Sequence, residues 1–163
     1  MSIAMRYINL GRTRAAILRP TGALDRSSYT HLIMQALVAR EEGVGALIVD
    51  LHDVTHVGTA GLVGLYAVAR LVQGAPPPDL ETGWAILHVM AEDRAPVSRL
   101  AVTNPRPPVR QALARGLFAE LLIIHADVDA AMAALAGDDD PYTPIATNSV
   151  NSTTYAVGVC SQA

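Results

Sequence analysis

The sequence predicts an α/β domain built on a mixed, mostly parallel sheet. Two strand-like runs, Arg6–Leu10 and Arg14–Arg19, flank Gly11-Arg12 and predict an antiparallel hairpin at the start of the chain. Segments with helical spacing then alternate with short apolar runs, which is the order of a parallel sheet. The run Val44–Leu51 is typical of a buried strand, so we expect it at the centre of the sheet with both faces covered.

The other elements follow from apolar spacing and from residues that end helices. Pro20-Thr21-Gly22 is expected to end the second strand, and apolar residues at helical spacing predict a helix over Arg26–Glu42. The remaining predicted elements are a helix at Leu62–Val72, a short helix after Asp79 with Trp84 on its apolar face, a strand at Leu100–Thr103, a helix at Val109–Arg115, a strand at Leu121–His125, and a helix that Asp127 caps and that runs to Ala136.

One domain is expected, because 163 residues suffice for a single core. It covers residues 1–136 and includes an inserted Pro-rich segment and helix at 73–98. Residues 137–163 are rich in Asp, Thr, Ser and Asn and show no sustained period. We expect them to form a disordered polar tail.

The composition excludes several kinds of site. Every basic residue is arginine, so a phosphate-loop lysine, a Schiff-base lysine and a kinase-type lysine are all absent. Cys160 is the only cysteine, which excludes an internal disulfide and a cysteine metal cluster. The net charge of −3 equals the run Asp138–Asp140, so the rest is formally neutral and gives little reason to bind nucleic acid or an anionic membrane.

Targeting signals are weak in this sequence. No apolar run approaches the ~20 residues that a membrane-spanning helix needs. The first residues carry charges where a signal peptide would need an apolar stretch. We therefore expect a cytoplasmic protein.

Residues 53–65, DVTHVGTAGLVGL, join the central strand to the next helix. Gly58, Gly61 and Gly64 are spaced G-x-x-G-x-x-G, which matches neither the Walker pattern nor the dinucleotide fingerprint. Close packing of Gly61 and Gly64 where the helix meets the sheet is the simpler interpretation.

Catalytic and metal sites are also poorly supported at this junction. His52 and His56 flank Asp53, but a metal site would need a further ligand and converging geometry. There is no G-x-S-x-G elbow, and no base can be assigned to Thr59. We expect no catalytic residue, no metal ligand and no enzymatic activity.

Thr59 itself has two interpretations. Its hydroxyl could cap the helix by accepting a hydrogen bond from a backbone N–H two or three residues later. Alternatively, the small residues around it leave an accessible surface at the end of a parallel strand, where ligands and partners usually meet such a sheet.

Five segments, in this order, resemble the STAS domain of anti-sigma factor antagonists. Thr21–Asp25 resembles the turn into the first helix of that family, Ala46–Leu51 its central strand, and Gly58–Leu62 its signature turn. Asn104-Pro105 and the segment Val109–Leu117 resemble its third helix with the flanking turns. The likeness covers about residues 5–136 and implies a STAS-like single domain.

The resemblance implies a non-enzymatic switch. Family members of this kind bind an anti-sigma factor that is also an ATP-dependent Ser/Thr kinase, which frees the sigma factor until phosphorylation ends the interaction. The residue phosphorylated in regulated members corresponds to Thr59, where the family usually has Ser. Gly58 takes the place of an acidic residue, which is a second departure, and the insertion at 73–98 is a third. ATP and magnesium would belong to the partner, so no cofactor is expected here.

The turns that follow the predicted strands are expected to meet at one end of the sheet and to form the partner-binding surface. Two rival functions remain: an unregulated STAS scaffold that assembles with itself or with other STAS domains, and a small-ligand or nucleotide sensor whose three-glycine turn holds an anion. No direct contact with nucleic acid or membrane is expected, and a homodimer remains open. The predicted partner-binding residues are Gly22, Leu24, Asp25, His56, Val57, Gly58, Thr59, Ala60, Gly61, Leu62, Asn104 and Pro105.

Overall fold

The computed structural model describes residues 1–77, 79, 98–115, 119 and 122–137. The helix predicted after Asp79, most of the insertion at 73–98 and the tail from residue 138 onward lie outside the described residues.

The chain begins with the predicted hairpin, β1 (Ser2–Leu10) and β2 (Thr13–Leu24), which pair antiparallel from Leu10↔Thr13 to Ser2↔Thr21. The prediction that β2 ends at Pro20-Thr21-Gly22 is wrong. The first half of β2 pairs with the strand Ala46–Asp50, and its last residues pair with a second strand, Val54–Val57. This second pairing keeps β2 extended to Leu24. The register shifts between Gly22 and Ala23, and Gly22 has a φ of +99°, so glycine permits the bulge at which the strand changes partner.

The other strands complete a mixed sheet with the order β1-β2-β3-β5-β6, and β4 pairs with β2 outside this path. Only β1 is antiparallel to its neighbour. All five residues of β3 are buried, which confirms its predicted central position. The bounds are β3 Ala46–Asp50, β4 Val54–Val57, β5 Leu100–Thr103 and β6 Ile123–His125.

Helices cover both faces of this sheet. The larger core cluster, almost entirely aliphatic, lies between one face and the helices α1, α2 and α3. The smaller cluster, with Ile17, Ile48 and Ala101 from the strands, lies under α4 on the opposite face. In the described part of the chain the helices are α1 Tyr29–Glu41, α2 Thr59–Val72, α3 Pro107–Leu113 and α4 Val128–Gly137.

The predicted α/β class, with a mostly parallel sheet and an antiparallel N-terminal strand, is confirmed. The prediction that Asp127 caps the last helix is also confirmed, because Asp127 Oδ1 accepts a hydrogen bond of 2.8 Å from the Ala130 N–H. None of the helices within the described ranges combines the length and the apolar character that crossing a bilayer requires.

Candidate functional site

The end of β2 and the start of α2 meet because β4 pairs with β2. Ala23 stands beside His56 in this pairing, and the Gly58 N–H donates to the Leu24 carbonyl oxygen at 2.9 Å. A second backbone hydrogen bond of 3.0 Å, from the Gly22 N–H to the Asp53 carbonyl oxygen, holds the other end of the β2–β4 pair. Segments 22–25 and 56–60, which we call the junction surface, are therefore held together by main-chain bonds.

Close packing accounts for two glycines of α2, Gly61 and Gly64. A Cβ on Gly61 would lie 2.1 Å from the carbonyl oxygen of Leu24, so only glycine lets α2 approach β2 this closely. At Gly64 a Cβ would lie 3.1 Å from the Cβ of Tyr29, where α2 packs on α1. The prediction of close packing where the helix meets the sheet is confirmed for Gly61, whereas Gly64 packs against α1 and not against the sheet.

Thr59 is the first residue of α2 and is exposed. The interpretation of Thr59 as the N-cap is wrong, because Gly58 holds that position in an extended conformation and its carbonyl accepts the first helical hydrogen bond, from the Leu62 N–H at 3.0 Å. The Thr59 hydroxyl makes no hydrogen bond with any described residue. It therefore stands free next to the unpaired N–H groups of the first helical turn.

Asp25 places a carboxylate beside this junction. Its Oδ1 accepts hydrogen bonds from the Ser27 hydroxyl at 2.7 Å and from the Ser27 N–H at 2.9 Å, and these bonds lower the pKa of Asp25. The ideal Cβ position of Gly58 lies 3.7 Å from the Asp25 Cβ. The Asp25 carboxylate therefore stands beside Gly58, at the start of α2.

A buried serine fixes the same turn. The Ser28 hydroxyl donates to the Ala23 carbonyl oxygen at 2.7 Å and accepts from the Asp25 N–H at 2.9 Å. Sequence analysis overlooked Ser27 and Ser28. The predicted helix Arg26–Glu42 begins three residues too early, because α1 starts at Tyr29 with Ser28 as its N-cap. Two consecutive small hydroxyl residues are the signal that could have identified this start.

An ionic network around the buried Asp50 supports the β3–β4 loop. Asp50, fully buried at the end of β3, accepts from Arg19 Nε at 2.9 Å on Oδ2 and from Asn104 Nδ2 and the His52 N–H, each at 3.1 Å, on Oδ1. Burial raises the pKa of Asp50, but the hydrogen bonds from these three donors outweigh it and hold the pKa below its ordinary value. The network connects β2, β3 and the turn after β5.

The turn after β5 is attached to the β3–β4 loop. Asn104 has a φ of +52°, which asparagine tolerates better than most residues and which here accompanies the bond from its amide to Asp50. Arg106 Nε donates to the His52 carbonyl oxygen at 2.8 Å, and α3 packs against β4. Pro105 is buried.

The predicted partner-binding residues differ in accessibility. His56 and Thr59 are exposed, whereas Leu24, Val57 and Leu62 are at most 8% exposed and belong to the core. These three can act on a partner only by holding the surface in shape. Five of the other predicted partner-binding residues are half-buried and keep some accessible surface: Gly22, Asp25, Gly58, Ala60 and Asn104.

The histidines of this loop do not assemble a metal site. His52 Nδ1 lies 2.9 Å from Asp53 Oδ1, an exposed contact between neighbours. Within the described ranges, no group of three or more His, Cys, Asp or Glu side chains could hold a metal ion.

One solved structure of an anti-sigma factor antagonist shares this fold, and two further structures align with lower scores. One from Mycobacterium paratuberculosis aligns with a TM-score of 0.52 at 16% identity, over 82% of this chain and 94% of that chain. The antagonist SpoIIAA in its unphosphorylated form aligns with a TM-score of 0.48 at 16% identity, over 78% and 93%. The Bacillus cell fate determinant SpoIIAA in its phosphorylated form gives 0.40 at 17% identity, over 78% and 96%.

These similarities concern the fold, and the first of them confirms the predicted STAS-like architecture. No protein-family profile matches the sequence, and no curated protein matches it.

Proposed function

We propose that this chain is an anti-sigma factor antagonist whose binding to a kinase-type anti-sigma factor is ended by phosphorylation of Thr59. The observation that carries the proposal is the position of that hydroxyl. It is exposed at the first residue of α2, it has no hydrogen-bond partner among the described residues, and glycine and alanine flank it. A kinase can reach such a hydroxyl without unfolding the domain.

The local electrostatics of α2 favour a phosphate at this position. Phosphorylation adds about −1.5 to −2 charges near neutral pH, and the helix N-terminus offers free N–H groups and a favourable dipole. The exposed ring of His56 lies next to Gly58, with its Nε2 3.7 Å from the ideal Cβ position of that glycine. The domain therefore accommodates the charge.

The partner bears the cost of the modification. A protein that docks on the junction surface would either bury the phosphate away from water or place its own surface against two negative groups, the phosphate and the Asp25 carboxylate. Desolvation of an unpaired charge is expensive, so docking is lost while the fold remains. This is how a single hydroxyl can control association.

The proposal assigns the chemistry to the partner. The anti-sigma factor supplies ATP, magnesium and kinase activity, and this chain is a non-enzymatic phosphoprotein of the bacterial cytoplasm. The absence of lysine from the sequence agrees with this division, because a phosphate-loop lysine is not available here.

A phosphotransfer assay tests the proposal. Candidate kinase-type anti-sigma factors are incubated with the chain and labelled ATP, and the label is located by mass spectrometry. We expect transfer to wild type and to Thr55→Ala, and none to Thr59→Ala. Thr55 is a matched control because it is an exposed threonine four positions away on β4.

The outcomes of this assay separate the rival functions. Binding without transfer would favour the unregulated STAS scaffold, which the loss of the acid at Gly58 also favours. Neither binding nor transfer with any kinase-type anti-sigma factor would reject the antagonist function and leave the ligand sensor.

A further inference from the structure

The sheet face under α4 carries a groove of about 350 Å³ between the β1–β2 hairpin and the first turn of α4. This volume falls within the range of about 300–1,000 Å³ that is typical of small-molecule sites. Arg6 and Arg19 line its sheet side, Val128 and Asp129 line its helix side, and Ile17 lies between them.

The two arginines stand on the same face of the hairpin. Arg6 is paired with Ile17, and Arg19 is paired with Ala4, so the arginines are diagonal neighbours across the strands. Diagonal positions in an antiparallel pair are about 7–8 Å apart, so one anionic group placed between the two side chains can reach both guanidinium groups. Asp50 already balances the charge of Arg19, so the uncompensated positive charge on this face is that of Arg6.

Both guanidinium groups keep unused donors. Arg19 gives Nε and Nη2 to Asp50 Oδ2, at 2.9 Å and 2.7 Å, which leaves Nη1. Arg6 is exposed, and it forms no hydrogen bond or ion pair with the part of the chain that the structure describes. A carboxylate between them would accept hydrogen bonds from two guanidinium groups at once.

The opposite wall carries a free carboxylate. Asp129 lies in the first turn of α4 and is exposed, and it forms no ion pair with either arginine. The capping role in this helix belongs to Asp127, whose Oδ1 accepts from the Ala130 N–H. Asp129 is therefore available to a ligand.

We propose that this groove binds a small zwitterion, an α-amino acid with an aliphatic side chain. Its carboxylate is held by Arg6 and Arg19, and its ammonium group lies against Asp129. The aliphatic side chain contacts Ile17 and Val128, which form the apolar part of the wall. Because the charged residues are largely exposed, binding is weak and exchange is fast.

Titration of the full chain with leucine, followed by two-dimensional amide NMR, tests the site. Saturable shifts are expected in β1, in β2 and in the first turn of α4. Arg6→Gln should weaken leucine binding by about tenfold or more, because charge-assisted hydrogen bonds are lost. Arg12→Gln is the matched control, since Arg12 lies in the hairpin turn outside the groove, and it should bind leucine as wild type does.

Isocaproate, which is leucine without its amine, tests the role of Asp129. Wild type should bind leucine more tightly than isocaproate, and Asp129→Asn should remove that preference. The proposal fails if leucine produces no saturable shifts or if Arg6→Gln leaves its affinity unchanged. It also fails if wild type binds isocaproate as tightly as leucine.

Discussion

Replacement of Gly61 by alanine tests the contact that positions the signature turn. The added Cβ would lie 2.1 Å from the Leu24 carbonyl oxygen and 2.9 Å from its carbonyl carbon, both of them backbone atoms. Carbon–oxygen contacts are normally about 3.3 Å or longer, so α2 would have to move about 1.2 Å away from β2. That movement would break the 2.9 Å hydrogen bond from the Gly58 N–H to the same oxygen.

The expected loss of stability follows from these contacts. Overpacking costs about 1–3 kcal/mol and the lost hydrogen bond about 1 kcal/mol, while the helix gains about 1 kcal/mol from alanine. Gly61→Ala should therefore lower the free energy of unfolding by about 1–3 kcal/mol, which corresponds to roughly 3–10 °C in thermal midpoint. Thermal unfolding followed by circular dichroism measures the difference.

Two matched glycines serve as controls. Gly58→Ala places a Cβ at an ordinary 3.7 Å from its neighbours, and Gly64→Ala places one at 3.1 Å from the Tyr29 Cβ. Each should change stability by about 1 kcal/mol or less, because neither meets a backbone oxygen at short range. The close approach of α2 to β2 would be refuted if Gly61→Ala had the same thermal midpoint as wild type, or a midpoint no lower than those of the two control variants.

Three further changes test other parts of the structure. The Asp50 pKa is lowered in the folded state, so its stabilisation is present above about pH 4, the ordinary range of an aspartate, and is lost as pH falls through the folded pKa. Asp50→Asn should therefore destabilise the protein at neutral pH, and the difference in thermal midpoint between this variant and wild type should narrow only as pH falls below about 4; a difference that stays constant down to the lowest pH at which both proteins fold would contradict the network. Gly58→Asp should fold normally, since a side chain fits there, and should leave stability within about 0.5 kcal/mol of wild type, because repulsion from Asp25 offsets the gain from a better N-cap. It should speed phosphorylation of Thr59 in the kinase assay; unfolding or an unchanged rate would count against it. Asp127→Ala removes the bond to the Ala130 N–H and should cost about 1 kcal/mol in urea unfolding, whereas Asp127→Asn should cost less.

Local patterns predicted most of the fold. The central position of β3 follows from an apolar run with strand character, and the α2 and α4 segments follow from helical spacing. The strand β4 gave no such signal, because it has four residues and its middle two are exposed. The extension of β2 to Leu24 depends on pairing with β4, so neither could be predicted from local sequence.

The sequence predicted that the turns that follow the strands meet at one end of the sheet, but not the contacts that hold them there. Pairing of β2 with β4 brings Asp25 and Thr59 to one surface, as the order of the segments suggested. The N-cap could not be assigned in advance, since Gly58 and Thr59 are both acceptable there and the backbone conformation decides. The bonds from Arg19 and Asn104 to Asp50 join residues 31 and 54 positions apart, which no sequence spacing reveals.

The affinity of Thr59 variants for the anti-sigma partner tests the central claim most directly. Because Thr59 does not cap α2, Thr59→Ala should keep both the fold, within about 0.5 kcal/mol, and the affinity of wild type. Thr59→Glu should also fold but should bind at least about tenfold more weakly, and less weakly than the phosphorylated protein, because it carries only about one charge. Thr55→Glu, the same change on β4, controls for added charge near the surface. Equal affinity of Thr59→Glu and wild type for the partner would contradict the switch.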